Sequence, residues 1–279
     1  MPVYNIKEEY LREAIESILN QTFGDFEFII LNDGSTDEHV EKVIMSYKDR
    51  RIRFINNKQN QGFVGALNQC MKEAKGEYIA KMDSDDISLP ERLKKQVNFL
   101  DSHQEIGLVG AAYKWFDKRD IVTTHPERIG YIDMLTGCCC TIPMFRREIV
   151  AKNNLYFRKE YIYAEDYDFY ARFIRYAGIA NIQDILYLYR WHGNNVSITK
   201  SVEQNNSAQK IRQDCFDFLL KDKVLQDKVS YFIAYTKFKS QLKWFNKFFT
   251  LKNFTTALGE KYKFIQFLGL SVVIKRRKK

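Results

Sequence analysis

The chain has 279 residues, 45% hydrophobic and 28% charged, proportions of an ordinary globular protein that exclude a disordered or fibrous chain. Its formal net charge is +9, yet 12 basic residues and a single acid, Glu260, fall between Lys237 and Lys279. The preceding part holds 32 basic and 34 acidic residues, a balance that argues against a nucleic-acid-binding body.

Five cysteines, three of them the run Cys138-Cys139-Cys140, fit neither a disulfide framework nor spaced zinc ligands. There is no signal-peptide pattern and no apolar run of bilayer-spanning length, so the expectation is a cytoplasmic chain with reduced thiols.

From Ile6 to about Gly110, helical and strand periodicities alternate, the pattern of βαβ units around a largely parallel sheet. Tyr10, Leu11, Ala14, Ile15, Ile18 and Leu19 make one apolar stripe of a first helix. The run Phe26 to Leu31 predicts a buried strand that ends in Asn32-Asp33-Gly34-Ser35. A helix through Val43 and Ile44 follows, then a strand Ile52–Ile55, a loop with Asn60 and Gly62, and a helix through Leu67 and Met71. The strand Tyr78–Met82 runs straight into Asp83-Ser84-Asp85-Asp86. In open α/β sheets ligands bind beyond the carboxyl ends of the strands, so these polar clusters should converge on one crevice.

Further on, Leu89 to Leu100 reads as a helix with Pro90 in its first turn, and Ile106 to Val109 as a strand. The stretch 114–143 is poorly periodic and is a candidate acceptor side. Asp166 to Ala177 predicts an amphipathic helix, and Ile182 to Trp191 a β-rich segment ending in Arg190-Trp191-His192. After Ser201 the pattern turns helical and basic, so the organisation expected is a body of residues 1–200 and a helical, aromatic-rich appendage of residues 201–279.

Three carboxylates within the four residues 83–86 repel one another unless a cation or solvent relieves them. Mg²⁺ and Mn²⁺ favour such oxygens and commonly bind through one or two of them plus substrate phosphates. The competing reading is a solvated acidic turn that caps the next helix. Asp166 carries the same ambiguity, since an acid in a first helical turn also complements the helix dipole.

The combination of motifs resembles a known family. Met1-Pro2-Val3-Tyr4-Asn5, Asn32-Asp33-Gly34-Ser35-Thr36-Asp37, Asn60-Gln61-Gly62 with Ala66 and Asn68, Gly76 to Ala80 before Asp83-Ser84-Asp85-Asp86, and Glu165-Asp166 look like family 2 glycosyltransferases of the GT-A fold, over roughly residues 1 to 195. The resemblance implies an inverting sugar transfer from a nucleotide diphosphate donor, usually UDP-linked, with Mn²⁺ or Mg²⁺. It places Pro2, Tyr4 and Asp33 around the nucleotide, Asp33 at the base edge, with Asn60 and Gly62 in the same pocket. Asp83 faces the ribose, Asp85 the metal, and Lys81 is a candidate for phosphate charge. Asp166 is the implied general base, and His192 a candidate to close the metal site. Members of the family carry a strand ahead of the Pro-Val-Tyr-Asn stretch; with Met1 as the first residue, the expectation is a Rossmann-like sheet whose first strand is missing.

The tail mixes nine aromatic residues with lysines from Phe238 to Phe267 and ends in Lys275-Arg276-Arg277-Lys278-Lys279. That composition suits docking on an anionic membrane surface, where each cation adds about 1 kcal/mol, and it would suit a lipid-linked or glycan acceptor at the inner face of the membrane. Two other functions stay open at this point: a catalytically silent nucleotide-binding partner subunit, and a nucleotidyltransferase, against which the lack of a Gly-rich phosphate loop counts.

Overall fold

The computed structural model describes residues 1–117, 119–131, 133–137, 140–192, 195 and 199–221, together with strands at 249–255, 261–267 and 270–275. It begins β1 (Pro2–Val3), α1 (Glu8–Leu19), β2 (Phe28–Asp33), α2 (Glu38–Ser46), β3 (Ile52–Asn57), α3 (Phe63–Glu73) and β4 (Tyr78–Ala80). The stripe on α1 is its packing face: Leu11, Ala14, Ile15 and Ile18 are all buried. Every residue of β2 is buried, as in a parallel strand covered on both faces. Asp37 caps α2 by accepting from the His39 N–H at 3.2 Å. The three strands pair in parallel, in the order β1-β2-β3.

Next come β5 (Ile87–Ser88), α4 (Arg92–Ser102), β6 (Ile106–Asp117), β7 (Ile121–Thr123), β8 (Arg128–Ile129), β9 (Met144–Arg146), α5 (Arg147–Asn153), α6 (Glu165–Phe173), β10 (Gly178–Trp191) and α7 (Ser201–Lys221). A second sheet has the order β4-β9-β6-β10-β5. Its long central pair, β6 and β10, is parallel, while β9 runs antiparallel to β4 and β6, and β5 antiparallel to β10. The α/β architecture therefore combines a parallel sheet with a mixed one. Part of the weakly periodic stretch belongs to it, because β6 continues to Asp117 and β7 folds back on its end.

The first strand is not wholly missing. Pro2 pairs with Leu31 and Val3 with Asn32, and the buried Met1 ammonium donates to the Ile29 carbonyl at 2.8 Å. Between the two sheets lies a cavity of about 680 Å³ bordered by Met1, Phe28, Ile29, Ile79 and Met82. One apolar core packs α1 and α2 on β2 through Leu11, Ile15, Ile30, Val43 and Ile44, and a second gathers Leu93, Leu100, Ile106, Val109 and Met144.

The chain divides into two units, Met1–Cys215 and Phe216–Lys279. The first turns of α7 are fastened to the preceding body: Gln204 Nε2 donates to the Tyr163 carbonyl at 2.8 Å and Ser207 Oγ to that of Ile162 at 3.1 Å. The C-terminal region expected to be helical opens with α7 and also holds strands. β11 (Phe249–Thr255), β12 (Lys261–Phe267) and β13 (Leu270–Lys275) form an antiparallel three-stranded sheet. Lys261-Tyr262-Lys263-Phe264 alternates with the period of two that suits a strand. Among the described residues no helix is long and apolar enough to cross a membrane. Cys138, Cys139 and the basic residues 276–279 lie outside the described residues.

Candidate active site

Loops after β1, β2, β3 and β4, the start of α6, the end of β10 and one face of α7 line a cleft of about 810 Å³. Of the residues singled out in the sequence, Pro2, Tyr4, Asp33, Asn60, Lys81, Asp83, Asp85, Asp166 and His192 all line it. Gly62 does not; it acts one layer behind.

At the first-sheet end, Asp33 closes β2 and is 2% exposed. Its carboxylate accepts from the Gln61 N–H at 3.0 Å, the Gly62 N–H at 3.0 Å and Asn57 Nδ2 at 3.1 Å, while Asn60 Nδ2 donates to the Asp33 carbonyl at 3.0 Å. Asp33 thus shapes the loop that carries Asn60. Two glycines permit the approach. Gly34 has φ +68°, and a Cβ there would lie 2.7 Å from the Asn60 nitrogen. Gly62, with φ +81°, starts α3 in a conformation that side chains rarely adopt. Tyr4, half-exposed, stands at the rim, and Asn5 ties β1 to the next turn by accepting from the Thr36 N–H at 3.0 Å.

At the second-sheet end the acidic loop follows β4. Lys81 Nζ lies 3.2 Å from Asp83 Oδ1 and 3.1 Å from Asp166 Oδ2. Burial disfavours its charge, but Asp166, Asp83 and Glu165 outweigh that and hold the ammonium well above the usual lysine range. Asp166 Oδ1 is buried without a hydrogen-bond partner. Burial, then the neighbouring Asp166, pushes the Glu165 carboxyl up to about 7. Asp85 is raised by burial and by Asp83, and Asp86 is raised well above the carboxylate range by burial and by Asp85 and Asp83. Crowded carboxylates in a partly dehydrated loop are what a bound cation would relieve.

His192 Nε2 lies 3.2 Å from Asp85 Oδ2, so the two residues expected at a metal do meet. Among the described residues no group of three His, Cys, Asp or Glu side chains converges to hold a metal unaided. Asp85 and His192 offer one oxygen and one nitrogen donor, a set that fits Mn²⁺ or Mg²⁺ only with further oxygens from a bound ligand.

Several residues of the site carry no sequence signal of their own. The Arg190 N–H donates to Asp86 Oδ1 at 2.8 Å and its Nε to the Asp85 carbonyl at 2.7 Å, while its guanidinium pairs with Glu13 and lies over the Tyr10 ring. Tyr187 accepts from the Asp83 N–H at 3.3 Å, and Arg92, fully buried, donates to the Lys81 carbonyl at 2.6 Å. These clamps fix the acidic loop from strand β10 and helix α4. The strand-terminal position of Arg190, beside His192, was the one available hint.

Strand-end loops, with the start of α6, thus gather in one acidic cleft of an α/β fold, the place where ligands bind in open α/β sheets. The chain belongs to Glycosyl transferase family 2, whose sequence pattern matches residues 1–159. It is 34% identical over 231 residues to an uncharacterized glycosyltransferase of Haemophilus influenzae, covering 76% of this chain and 71% of that protein. It is also 34% identical over 182 residues to the uncharacterized glycosyltransferase MJ1057 of Methanocaldococcus jannaschii, covering 62% of this chain and 63% of that one. Among solved structures, S. aureus TarS 1–349 matches with TM-score 0.58 and 26% identity, over 68% of this chain and 58% of that chain. The mannosyltransferase PcManGT of Pyrobaculum calidifontis, solved with GDP-Man and Mn²⁺, shares the fold alone: TM-score 0.55 and 14% identity, over 87% of this chain and 81% of that chain.

Proposed function

We propose that this glycosyltransferase moves a sugar from a UDP-linked donor to an acceptor hydroxyl with inversion at the anomeric carbon, using Mn²⁺ or Mg²⁺. The observation that carries the reading is the meeting of Asp83, Asp85 and Asp166 in one cleft, with Asp166 Oδ1 unengaged. TarS has been solved with UDP and with UDP-GlcNAc, at 21% and 23% identity, which supports a cleft of this fold as a nucleotide-sugar site.

In this reading Pro2, Tyr4 and Asn60 border the nucleoside, and Asp33 both shapes the loop and takes the base edge. Asp83 faces the ribose. Asp85 and His192 would hold the metal, which would supply Lewis-acid neutralisation of charge on the departing diphosphate. Asp166 Oδ1 accepts the proton of the acceptor hydroxyl as its oxygen bonds to the anomeric carbon and the bond to the diphosphate breaks. A single displacement of that kind inverts the carbon. Lys81 fixes Asp166 through the other oxygen. That free, positioned carboxylate oxygen favours an active enzyme over a silent partner subunit.

The setting belongs to the same proposal: a cytoplasmic enzyme of surface polysaccharide or glycolipid synthesis, whose basic, aromatic-rich C-terminal region rests on an anionic leaflet near a lipid-linked or glycan acceptor. The first test is a thermal-shift titration with UDP, with and without Mn²⁺. Saturation at about 100 times the dissociation constant stabilises the fold by about 2.7 kcal/mol. A metal-dependent shift supports the reading, and no shift on a folded chain overturns the choice of nucleotide.

A further inference from the structure

The cleft is lined by six carboxylates, Asp33, Asp83, Asp85, Asp86, Glu165 and Asp166. A ligand with phosphate groups must enter against them, so the cations of the cleft matter. Lys81 is committed to Asp83 and Asp166, and His192 faces Asp85. Arg212, on α7, differs. It lines the same cleft, its Nε is buried without a hydrogen-bond partner, and it forms no ion pair among the described residues. A guanidinium donor held away from water with no acceptor is costly, unless a ligand supplies the acceptor.

Its position is built rather than incidental. α7 is fastened to the segment that leads into Glu165 and Asp166 by bonds from Gln204 to the Tyr163 carbonyl and from Ser207 to the Ile162 carbonyl, and by the Tyr161 hydroxyl, which donates to Asp214, while Tyr131 donates to the Cys215 carbonyl at 3.3 Å. These contacts bracket Arg212 on both sides along the helix. A planar guanidinium fork suits phosphate oxygens, which it can engage with two parallel hydrogen bonds. Residue 212 lies beyond the family match, which ends at residue 159.

We propose that Arg212 binds a phosphoryl oxygen of the ligand in the cleft, completing an anion site that the body reaches only through α7. The inference rests on the nucleotide-diphosphate reading above. The oxygen belongs either to the donor's diphosphate or to an anionic acceptor, and the test separates the two sources.

UDP and uridine are titrated calorimetrically, with Mn²⁺ at fixed concentration, into the full chain and its Arg212→Gln and Arg212→Lys variants, whose melting curves report folding. If the donor's diphosphate is the partner, Arg212→Gln weakens UDP at least tenfold and leaves uridine within twofold, and Arg212→Lys recovers part of the loss. If UDP is unchanged, inorganic phosphate titrated into the UDP-saturated proteins reports the acceptor side; weaker binding by Arg212→Gln there assigns the site to an anionic acceptor. Unchanged affinity for UDP and for phosphate in a folded variant overturns the proposal. Should the parent chain bind neither UDP nor uridine, the nucleotide reading fails instead, and phosphate alone still compares parent with variant. A Gln variant that does not fold shifts the comparison to Arg212→Lys, for which unchanged UDP and phosphate binding would count against a bidentate contact and overturn the site as described.

Discussion

Lys81 and Asp166 are 85 positions apart in the chain, yet the lysine ammonium lies 3.1 Å from one oxygen of the aspartate and leaves the other unpartnered. The same ammonium lies 3.2 Å from Asp83, so one cation ties the loop after β4 to the start of α6. Replacing Lys81 by Met leaves both carboxylates without that partner. The expected cost is on the order of 2–3 kcal/mol, below that of a fully buried pair because both aspartates keep some exposure. Urea unfolding of Lys81→Met measures it, and a loss under 0.5 kcal/mol would mean that the ion pair is incidental.

Asp166→Asn keeps the shape of the side chain and removes its capacity to take a proton. Sugar transfer should fall by about 10²–10⁴-fold, the usual worth of a general base, while UDP affinity changes by less than about twofold. Steady-state rates set beside calorimetric UDP binding test both halves. A parallel loss of binding would assign Asp166 to holding the donor.

Glu165 gives a pH-dependent contribution to stability. Its carboxyl is raised to about 7 from an ordinary value near 4.5, mainly by burial and then by Asp166. The folded state therefore holds a proton that the unfolded state releases between those values. Its contribution is full below about pH 4.5 and is lost as pH rises through about 7. Glu165→Gln should flatten that part of the profile and stabilise the chain above pH 7 by on the order of 2 kcal/mol relative to the parent. Melting temperatures of the two proteins at pH 5 and pH 8 provide the comparison; equal differences at both pH values would contradict it.

Asp85 and His192 share one role in the proposed metal site, so His192→Ala should raise the Mn²⁺ concentration for half-maximal activity at least tenfold, in the range seen when metal-site residues are lost. Chelation should abolish transfer reversibly in the parent. Activity that persists after exhaustive chelation removes the metal from the mechanism.

Gly34→Ala adds a Cβ 2.7 Å from the Asn60 nitrogen at a positive φ. Both effects act against the turn, and a loss of about 1–3 kcal/mol is expected together with weaker UDP binding, because the Asn60 loop must move away. A variant of parental stability and affinity would show that the β2 turn and this loop are not coupled.

Much of the body was legible from periodicity and from punctuation at strand ends. The α1 stripe, the all-buried β2 and the polar clusters that close β2 and β4 are local patterns, and local patterns report local conformation. Asp33, Asp83 and Asp85 belong to such clusters, and the rule that ligands gather at strand carboxyl ends predicts that the clusters share one crevice; Asp166 opens a helix, and its role is implied only by the family resemblance. His192 was reached only through the family resemblance.

Other parts depended on distance in space. Arg190 meets Asp86 across 104 positions, and no spacing along the chain announces that contact. The tail's strand period was present in Lys261 to Phe264 but lay under a basic, aromatic composition that also suits a helix. The boundary expected at 200/201 follows a change of composition; that the first turns of α7 lie beside the cleft depends on backbone acceptors that Gln204 and Ser207 find in space.

By itself the sequence determined the α/β class, the strand-end clusters and the identity of the carboxylates, since hydrophobic period and turn chemistry act over a few residues. Only the tertiary structure decided that Lys81 bridges Asp83 and Asp166, that Arg190 clamps the acidic loop, and that Arg212 enters the cleft. Those are pairings of buried charge and hydrogen-bonding groups, and a buried group's partner is chosen by whichever element packs beside it.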